Sequence, residues 1–228
     1  MKDSENLFSI ILASTVHDMK NSLGMMSKTL ETILASLPEE KRSESNKEYG
    51  VLQYEYSRVN NLLMQLLAIY KIDNNQLSFT PGYHNVYDFI EEQILNYLPL
   101  FEAKGFSYQI DIDDELEAAF DESLMSMAIS NVIGNTIRYA HSKILINANA
   151  NKSLTINICD DGPGYPGPML EIADDYRQGI NPTTGSTGLG LFFAQKIAQL
   201  HTHAGDEGYI KLSNGGSLGG GIFEVTIP

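Results

Sequence analysis

An apolar repeat near the start of the chain constrains its fold more than any other feature. Leu12, Val16, Met19, Leu23, Met26, Leu30, Ile33 and Leu37 follow one another in alternating steps of four and three residues, the spacing of a heptad seam. A helix with such a seam needs a partner, because one stripe of it is apolar along its whole length. With Val16 and Met19 on the seam, His17 and Asn21 fall on the outward face. The seam packs, and the imidazole is presented to water with Asp18 beside it and Asn21 one turn further on. A solitary surface histidine carries no function by itself, so the weight given to His17 depends on the rest of the chain.

The spacing predicts a helix from about Ser4 to Leu37, stopped by Pro38, which lacks the amide proton that a helix interior needs. Residues 38–46 are polar and charged and read as a hairpin loop. A second stripe, Leu52, Tyr56, Val59, Leu63, Leu66 and Tyr70, predicts a returning helix that ends near Asp73, and Leu62, Leu67 and Ile69 widen its apolar face. A two-helix hairpin cannot cover its own seam. A homodimer in which two hairpins form a four-helix bundle is the economical solution; packing of the hairpin on its own C-terminal domain is the alternative.

Beyond Asn75 the pattern changes, which sets expected domains of 1–75 and 76–228. Residues 77–80 read as a short strand, 86–101 as a helix and 106–112 as an alternating strand. Asp121 is placed to cap a helix carrying Leu124, Met127, Ala128, Ile129, Val132, Ile133 and Ile137. Strands are expected at 144–148 and 154–159, a helix at 189–200, and a closing pair of strands at 209–213 and 222–227. Helices and antiparallel strands in this order predict a two-layer α/β sandwich.

At 228 residues the chain has the length for one large domain or two small ones. Its formal charge of −14 and lack of a basic stripe argue against a nucleic-acid partner. Cys159 is the only cysteine, which excludes an intrachain disulfide and thiolate metal clusters and suits a reducing cytoplasm. The apolar run Ile10 to Ala13 is far too short for a membrane span or a signal core. With Met1 taken as the start, a soluble cytoplasmic protein is expected.

Three stretches of the second domain carry chemistry. Asn131, Asn135 and Arg138 recur at helical spacing, so one face of an otherwise apolar helix bears two amides and a guanidinium. Such amides are either satisfied structurally or supply oxygen to a hard cation such as Mg²⁺. Cys159-Asp160-Asp161-Gly162-Pro163-Gly164 follows a strand directly. It is either a tight acidic turn or a place where an aspartate accepts from an exocyclic amine while glycines let backbone approach a flat base. Thr187-Gly188-Leu189-Gly190 feeds a helix start, which is either a flexible link or an anion site made by exposed amides and the helix dipole. A Rossmann reading fails, since no strand opens into the required glycine turn with an acidic partner.

Together and in this order, these stretches resemble the N, G1 and G2 boxes of the ATP-binding domain of sensor histidine kinases, within the superfamily that includes Hsp90, MutL and gyrase. His17-Asp18-Met19-Lys20-Asn21-Ser22-Leu23 resembles the H box of the dimerisation and phosphotransfer domain, so the resemblance covers nearly the whole chain. It implies that Asn135 coordinates Mg²⁺ and that Asn131 lines the same nucleotide site. By the same resemblance Arg138 reaches the phosphates, Tyr139 borders the adenine, and Asp160 accepts from the adenine amino group with Gly162 and Gly164 shaping the pocket. Thr187, Gly188 and Gly190 would close a lid over the phosphates, with Arg177 as a further lid cation. Three departures stand out. Ser22 replaces the usual proline of the H box, the F box is faint around Ile172 to Tyr176, and the usual Gly-Gly does not follow the histidine in Leu200-His201-Thr202-His203.

The resemblance implies an ATP-dependent protein-histidine kinase. ATP would phosphorylate His17, with Asp18 orienting the imidazole and taking its proton, and a response-regulator aspartate would then receive the phosphoryl group. Hydrolysing members of the superfamily carry a glutamate four residues before the metal-binding asparagine, where this chain has Asn131. That disfavours an ATP-hydrolysing machine, while a non-catalytic nucleotide-binding scaffold or a phosphotransferase that borrows the fold is the other alternative. Asn21 could orient a water that removes phosphate from the regulator. The length leaves no room for a sensor domain, so a separate sensor protein is expected to act in trans.

Overall fold

The computed structural model describes residues 2–74, 76–171 and 189–228. The chain divides into two compact units, Met1–Leu77 and Ser78–Pro228, considered in turn.

The first unit is a helical hairpin of α1 (Lys2–Ser36) and α2 (Glu39–Asp73). The loop expected over 38–46 is absent, because α2 begins directly after Pro38. Proline's fixed φ suits the position before a helix, and Pro38 sits there at φ −56° and ψ 150°. The tight turn is closed by Arg42, whose Nη2 donates to the carbonyls of Ala35 and Leu37 at 2.8 and 3.2 Å. These are orphan acceptors at the negative end of α1, whose last turn carries no basic residue of its own. The heptad seam of α1 is covered on one row only. Val16 is buried and Leu23, Leu30 and Leu37 are half-buried, whereas Met19, Met26 and Ile33 are 45, 62 and 53 % exposed. On α2 the buried positions include Gln65 and Ala68, while Leu52 and Leu66 of the expected stripe are open.

The second unit is the α/β sandwich. A five-stranded sheet has the order β2–β4–β5–β9–β8, with β2 (Ser107–Asp111) parallel to β4 (Lys143–Ala150). The remaining pairs, among β4, β5 (Leu154–Asp160), β9 (Gly221–Ile227) and β8 (Tyr209–Asn214), are antiparallel. Alternation along these strands sends one set of side chains inward. Register aligns Ile146, Ile158, Phe223 and Leu212 in one inward row, all buried. Three helices, α3 (Val86–Leu95), α5 (Glu122–Tyr139) and α7 (Leu189–Leu200), contribute Ile90, Ile94, Met125, Ile129, Ile133, Ile137 and Phe193 to the core.

Two expected elements differ. The helix predicted over 86–101 is broken into α3 and α4 (Leu98–Lys104), because Pro99 inside a continuous helix would clash with the carbonyl four residues earlier. The strand predicted over 77–80 is irregular. Thr80 gives its amide to the Asp121 carboxylate at 2.7 Å instead of to a ladder. Asp121 also caps α5, accepting from the Leu124 amide at 3.0 Å. Two short pairs were not anticipated, β1 (Gly82–Asn85) with β3 (Glu117–Phe120) and β6 (Thr202–His203) with β7 (Asp206–Glu207). A small five-residue helix, α6 (Gly167–Glu171), follows the β5 turn. Among the described residues no helix is long and apolar enough to cross a membrane.

Replacing Arg42 by alanine orphans the carbonyls at the end of α1 and is expected to cost the hairpin about 1 kcal/mol. Urea unfolding followed by helical circular dichroism checks this, and an unshifted midpoint would remove Arg42 from the turn's support.

Candidate functional site

In the first unit, His17 and Asp18 stand in water, with side chains 69 and 76 % exposed. The His17 Nδ1 lies 3.4 Å from Asp18 Oδ1. The Asn21 amide nitrogen crosses the ring edge, 3.2 Å from Nδ1 and 3.4 Å from Nε2. With its proton on Nδ1 the ring donates to Asp18 and its Nε2 accepts from the Asn21 amide; with the proton on Nε2, Nδ1 accepts from that amide instead. Imidazole, carboxylate and amide therefore share one exposed helical turn.

In the second unit, α5 and α7 bring Asn131 and Gly190 together. Gly190, the second residue of α7, packs so closely that an added Cβ would overlap the Asn131 side-chain amide. Asn131 Nδ2 is buried and has no hydrogen-bond partner among the described residues, a donor of the kind that calls for a ligand or water. Asn135, one turn along, is exposed, and so are Arg138 and Tyr139 at the end of α5. The Arg138 guanidinium lies 5.5 Å from the centre of the Tyr139 ring.

Asp160 ends the inward row of β5 that Ile156 and Ile158 begin, so alternation carries a carboxylate into the buried side. It is 7 % exposed, and such burial requires donors. The amides of Gly162 and Gly221 both donate to Oδ1, at 2.7 and 3.1 Å, while Oδ2 has no partner among the described residues. A Cβ at Gly162 would come within 2.5 Å of the Tyr139 carbonyl oxygen, so this position joins the β5 turn to the end of α5. Gly164, at φ +78°, abuts the Asn214 side chain. Asn214 holds the turn with two bonds to Tyr165, accepting from its amide at 2.7 Å and donating to its carbonyl at 2.9 Å.

The adjacent Asp161 has a different task. Its carboxylate accepts from the amides of His141, Ser142 and Lys143 and from the Ser142 hydroxyl, at 2.9 to 3.2 Å, fixing the link from α5 to β4. Partial burial pushes its pKa up, but the donors from Ser142, Lys143 and His141 outweigh it and hold the group at about 2. The His141 ring nitrogen also meets the Asp161 carbonyl.

Of the residues expected at the nucleotide site, Asn131 and Gly190 are in contact, and Asp160, Gly162 and Tyr139 form a second cluster joined to them by α5. Arg177, Thr187 and Gly188 lie outside the described residues. Sequence reasoning missed Gly220, Gly221 and Asn214. Gly220 donates its amide to the Asp160 carbonyl at 3.0 Å, beside the Gly221 bond to the carboxylate. The glycine run before the last strand was the available signal, since three consecutive glycines are costly in a strand unless backbone must come close.

Comparison with known proteins agrees with this geometry. Residues 120–228 match the family model for the histidine kinase-, DNA gyrase B- and HSP90-like ATPase. The adaptive-response sensory kinase SasA of Rippkaea orientalis is 26 % identical over 234 residues, covering 95 % of this chain and 57 % of its own length. Sensor protein PhoQ of Escherichia coli is 26 % identical over 213 residues, covering 93 and 42 %. The chain thus spans about half the length of the curated relatives it matches. Among solved structures, the Acinetobacter baumannii histidine kinase AdeS superposes with a TM-score of 0.59 at 21 % identity, covering 92 % of this chain and 96 % of that one. Full-length ShkA in complex with AMPPNP gives 0.63 at 19 %, covering 95 and 45 %. These likenesses show a shared fold.

Residues 120–228 are thus an ATPase domain of the histidine kinase, gyrase B and HSP90 class, a class that binds ATP. Within that class it resembles the ATPase domain of sensor histidine kinases, in step with its sensory kinase relatives.

Two outcomes test the site. A Gly190→Ala methyl must displace Asn131, so ATP affinity should fall at least about tenfold, the effect of an overpacking strain of roughly 1–3 kcal/mol; calorimetric titration with unchanged affinity would separate that contact from the nucleotide site. Asp161, held below its ordinary value of 3.8, stabilises the fold fully above that value and progressively less as pH falls from 3.8 through about 2. Wild type should therefore lose more of its urea midpoint between about pH 4 and pH 2.5 than Asp161→Asn does; equal losses would contradict the carboxylate's role.

Proposed function

We propose that this chain carries the phosphoacceptor and ATP-binding parts of a two-component histidine kinase, acting as a homodimer. The observation that carries the reading is the exposed His17–Asp18–Asn21 turn in the same chain as a histidine kinase-type ATPase domain. The open row of Met19, Met26 and Ile33, with Leu52 and Leu66 exposed on α2, supports a second copy as the partner of the hairpin.

ATP is the substrate, bound through Asp160 Oδ2 accepting from the adenine amino group, with Tyr139 along the base and Arg138 toward the phosphates. Asn131 Nδ2, an unpartnered buried donor, fits a phosphate oxygen, and the Asn135 side-chain oxygen fits a hard cation. Mg²⁺ takes few protein oxygens and completes its shell with phosphates and water. When bound, Mg²⁺ neutralises charge on the transferring group.

His17 Nε2 attacks the γ-phosphorus in line. A P–N bond forms as the bond to the bridging oxygen breaks, and ADP departs. The imidazolium formed gives its Nδ1 proton to Asp18, which holds the ring in that tautomer beforehand. The phosphohistidine, on an exposed turn, is then open to attack by a response-regulator aspartate. Asn21, in contact with the ring edge, is placed to orient a water for the reverse task, removal of phosphate from that aspartate.

Incubation with γ-labelled ATP and Mg²⁺ tests the reading. Acid-labile, base-stable label should remain on wild type and be absent from His17→Ala, and release of free phosphate with no labelled protein would refute it. In the same preparation Asn21→Ala should take label yet slow the decay of a phosphorylated regulator in the presence of ADP; an unaltered decay would exclude the phosphatase role.

A further inference from the structure

The point where the chain enters the second unit is built around a buried histidine that the proposed chemistry does not use. His201 follows α7 directly and is 4 % exposed. Its Nδ1 meets the Ile197 carbonyl at 2.8 Å, and a carbonyl only accepts, so the proton is on Nδ1. Nε2 then carries the lone pair and accepts from the Asp121 backbone amide at 3.0 Å. The Phe79 ring stands edge-on to the imidazole, centres 4.9 Å apart, and the next residue, Thr80, donates to the Asp121 carboxylate. Four pieces therefore meet at one neutral imidazole: the end of α7, the cap of α5, and the two residues Phe79 and Thr80, just past the unit boundary at Leu77. The same two helices hold Asn131 against Gly190.

We propose that His201 is a positioning residue that ties the incoming chain at Phe79 and Thr80 to the α5–α7 pair, and that its protonation releases the tie and weakens nucleotide binding. The physical reason lies in its partners. A proton gained by Nε2 would face the Asp121 N–H donor to donor, losing that bond. The Asp121 carboxylate, whose Oδ2 holds Thr80 and whose Oδ1 caps α5, is the negative charge that draws the new N–H. Satisfying the imidazolium therefore draws the carboxylate from the linker, the cap, or both. Asp121 is the charge that acts on the ring. Glu122, next along α5, lies 3.9 Å from His84, the Lys196 ammonium of α7 lies over Phe192, and His203, Asp206 and Glu207 on β6 and β7 are exposed.

Burial lowers the His201 pKa below its ordinary 6.5, against the raising effects of the Ile197 carbonyl and Asp121. A group whose folded value is depressed gives its full stabilisation above 6.5 and loses it as pH falls through the lower folded value, so the switch operates on the acid side. The nucleotide arm of this inference rests on the ATP site proposed above; the linker arm does not.

The test takes the full chain from about pH 7.5 down to the pH at which nitrogen-15 spectra show His201 protonated. The Thr80 amide protection factor, corrected for intrinsic exchange, should fall at least about tenfold in wild type, and the dissociation constant for ATP with Mg²⁺ should rise at least about threefold. His201→Gln keeps an acceptor near the Nε2 position without titrating, and both quantities should then be flat with pH. Nitrogen-15 spectra of wild-type His201, which need no variant, should show the Nδ1–H tautomer at the higher pH and protonation at the lower. Protonation without loss of Thr80 protection would overturn the proposal, as would the same pH dependence in His201→Gln, or released Thr80 with unchanged ATP affinity. Absence of ATP binding at both pH values would instead count against the nucleotide site, with the Thr80 arm still deciding the tie.

Discussion

The second unit depends on α5 being held at one rotation about its axis, because the same helix must fill the core and present polar groups. Ile129, Val132, Ile133 and Ile137 are buried, each contributing on the order of 1.5–3 kcal/mol, while Asn131, Asn135 and Arg138 occupy the adjacent flank. A turn of one residue, about 100°, would carry an amide into the core at a cost of about 1–3 kcal/mol per unmade bond. Polar contacts fix the angle on the other flank. Buried Gln93 accepts from the Ser126 and Ser130 hydroxyls at 2.8 and 2.9 Å, and the Tyr97 hydroxyl donates to the Ser130 carbonyl at 2.6 Å. Gly134 leaves room for that tyrosine, since a Cβ there would be 3.4 Å from its hydroxyl. With α5 fixed, Gly190 can seat α7 against Asn131.

The neighbouring aspartates show how alternation converts one residue type into two roles. Asp160 continues an inward row and keeps one oxygen without a partner among the described residues; Asp161 points the other way and is filled by four donor groups around residues 141–143. One carboxylate remains able to accept from a ligand, and the other is spent on a loop. Identity and spacing alone cannot separate them, because the difference lies in strands and turns far away in sequence.

The same distinction governs what the sequence could disclose. Signals that are local were legible: Asp121 as a cap three residues before Leu124, the span of α7 from Leu189 to Leu200, and the strands read at 154–159 and 222–227, each one residue short of its observed span. The break at Pro99 was also local but was overridden by the apolar run around it. Pairings that join distant segments were not legible, namely β1 with β3, β6 with β7, Gly221 with Asp160, and Asn214 with Tyr165. Residues 38–46 misled through composition, since polar charged residues suit a loop and an exposed helix equally, and the decision fell to Pro38 and Arg42. His201 gave no sequence sign of its bond to Asp121, 80 positions away.

Charge sets a further condition on the proposed chemistry. The chain carries −14, and α5 offers one cation, Arg138, toward a substrate that is itself polyanionic. Attraction over long range cannot draw such a substrate in, so affinity must arise at contact, from backbone amides, from orphan donors such as Asn131 Nδ2, and from a cation that arrives with the phosphates. The same accounting favours a neutral acceptor. An imidazole with its lone pair on Nε2 approaches a phosphoryl group without adding negative charge, and Asp18, on the Nδ1 side, bears on the proton instead of on the phosphate. An amide at Asn131, unlike a carboxylate, takes no proton from water, so bound ATP meets no general base at that position. In the chemistry proposed, one carboxylate at residue 18 and none at 131 would favour transfer to the imidazole over hydrolysis.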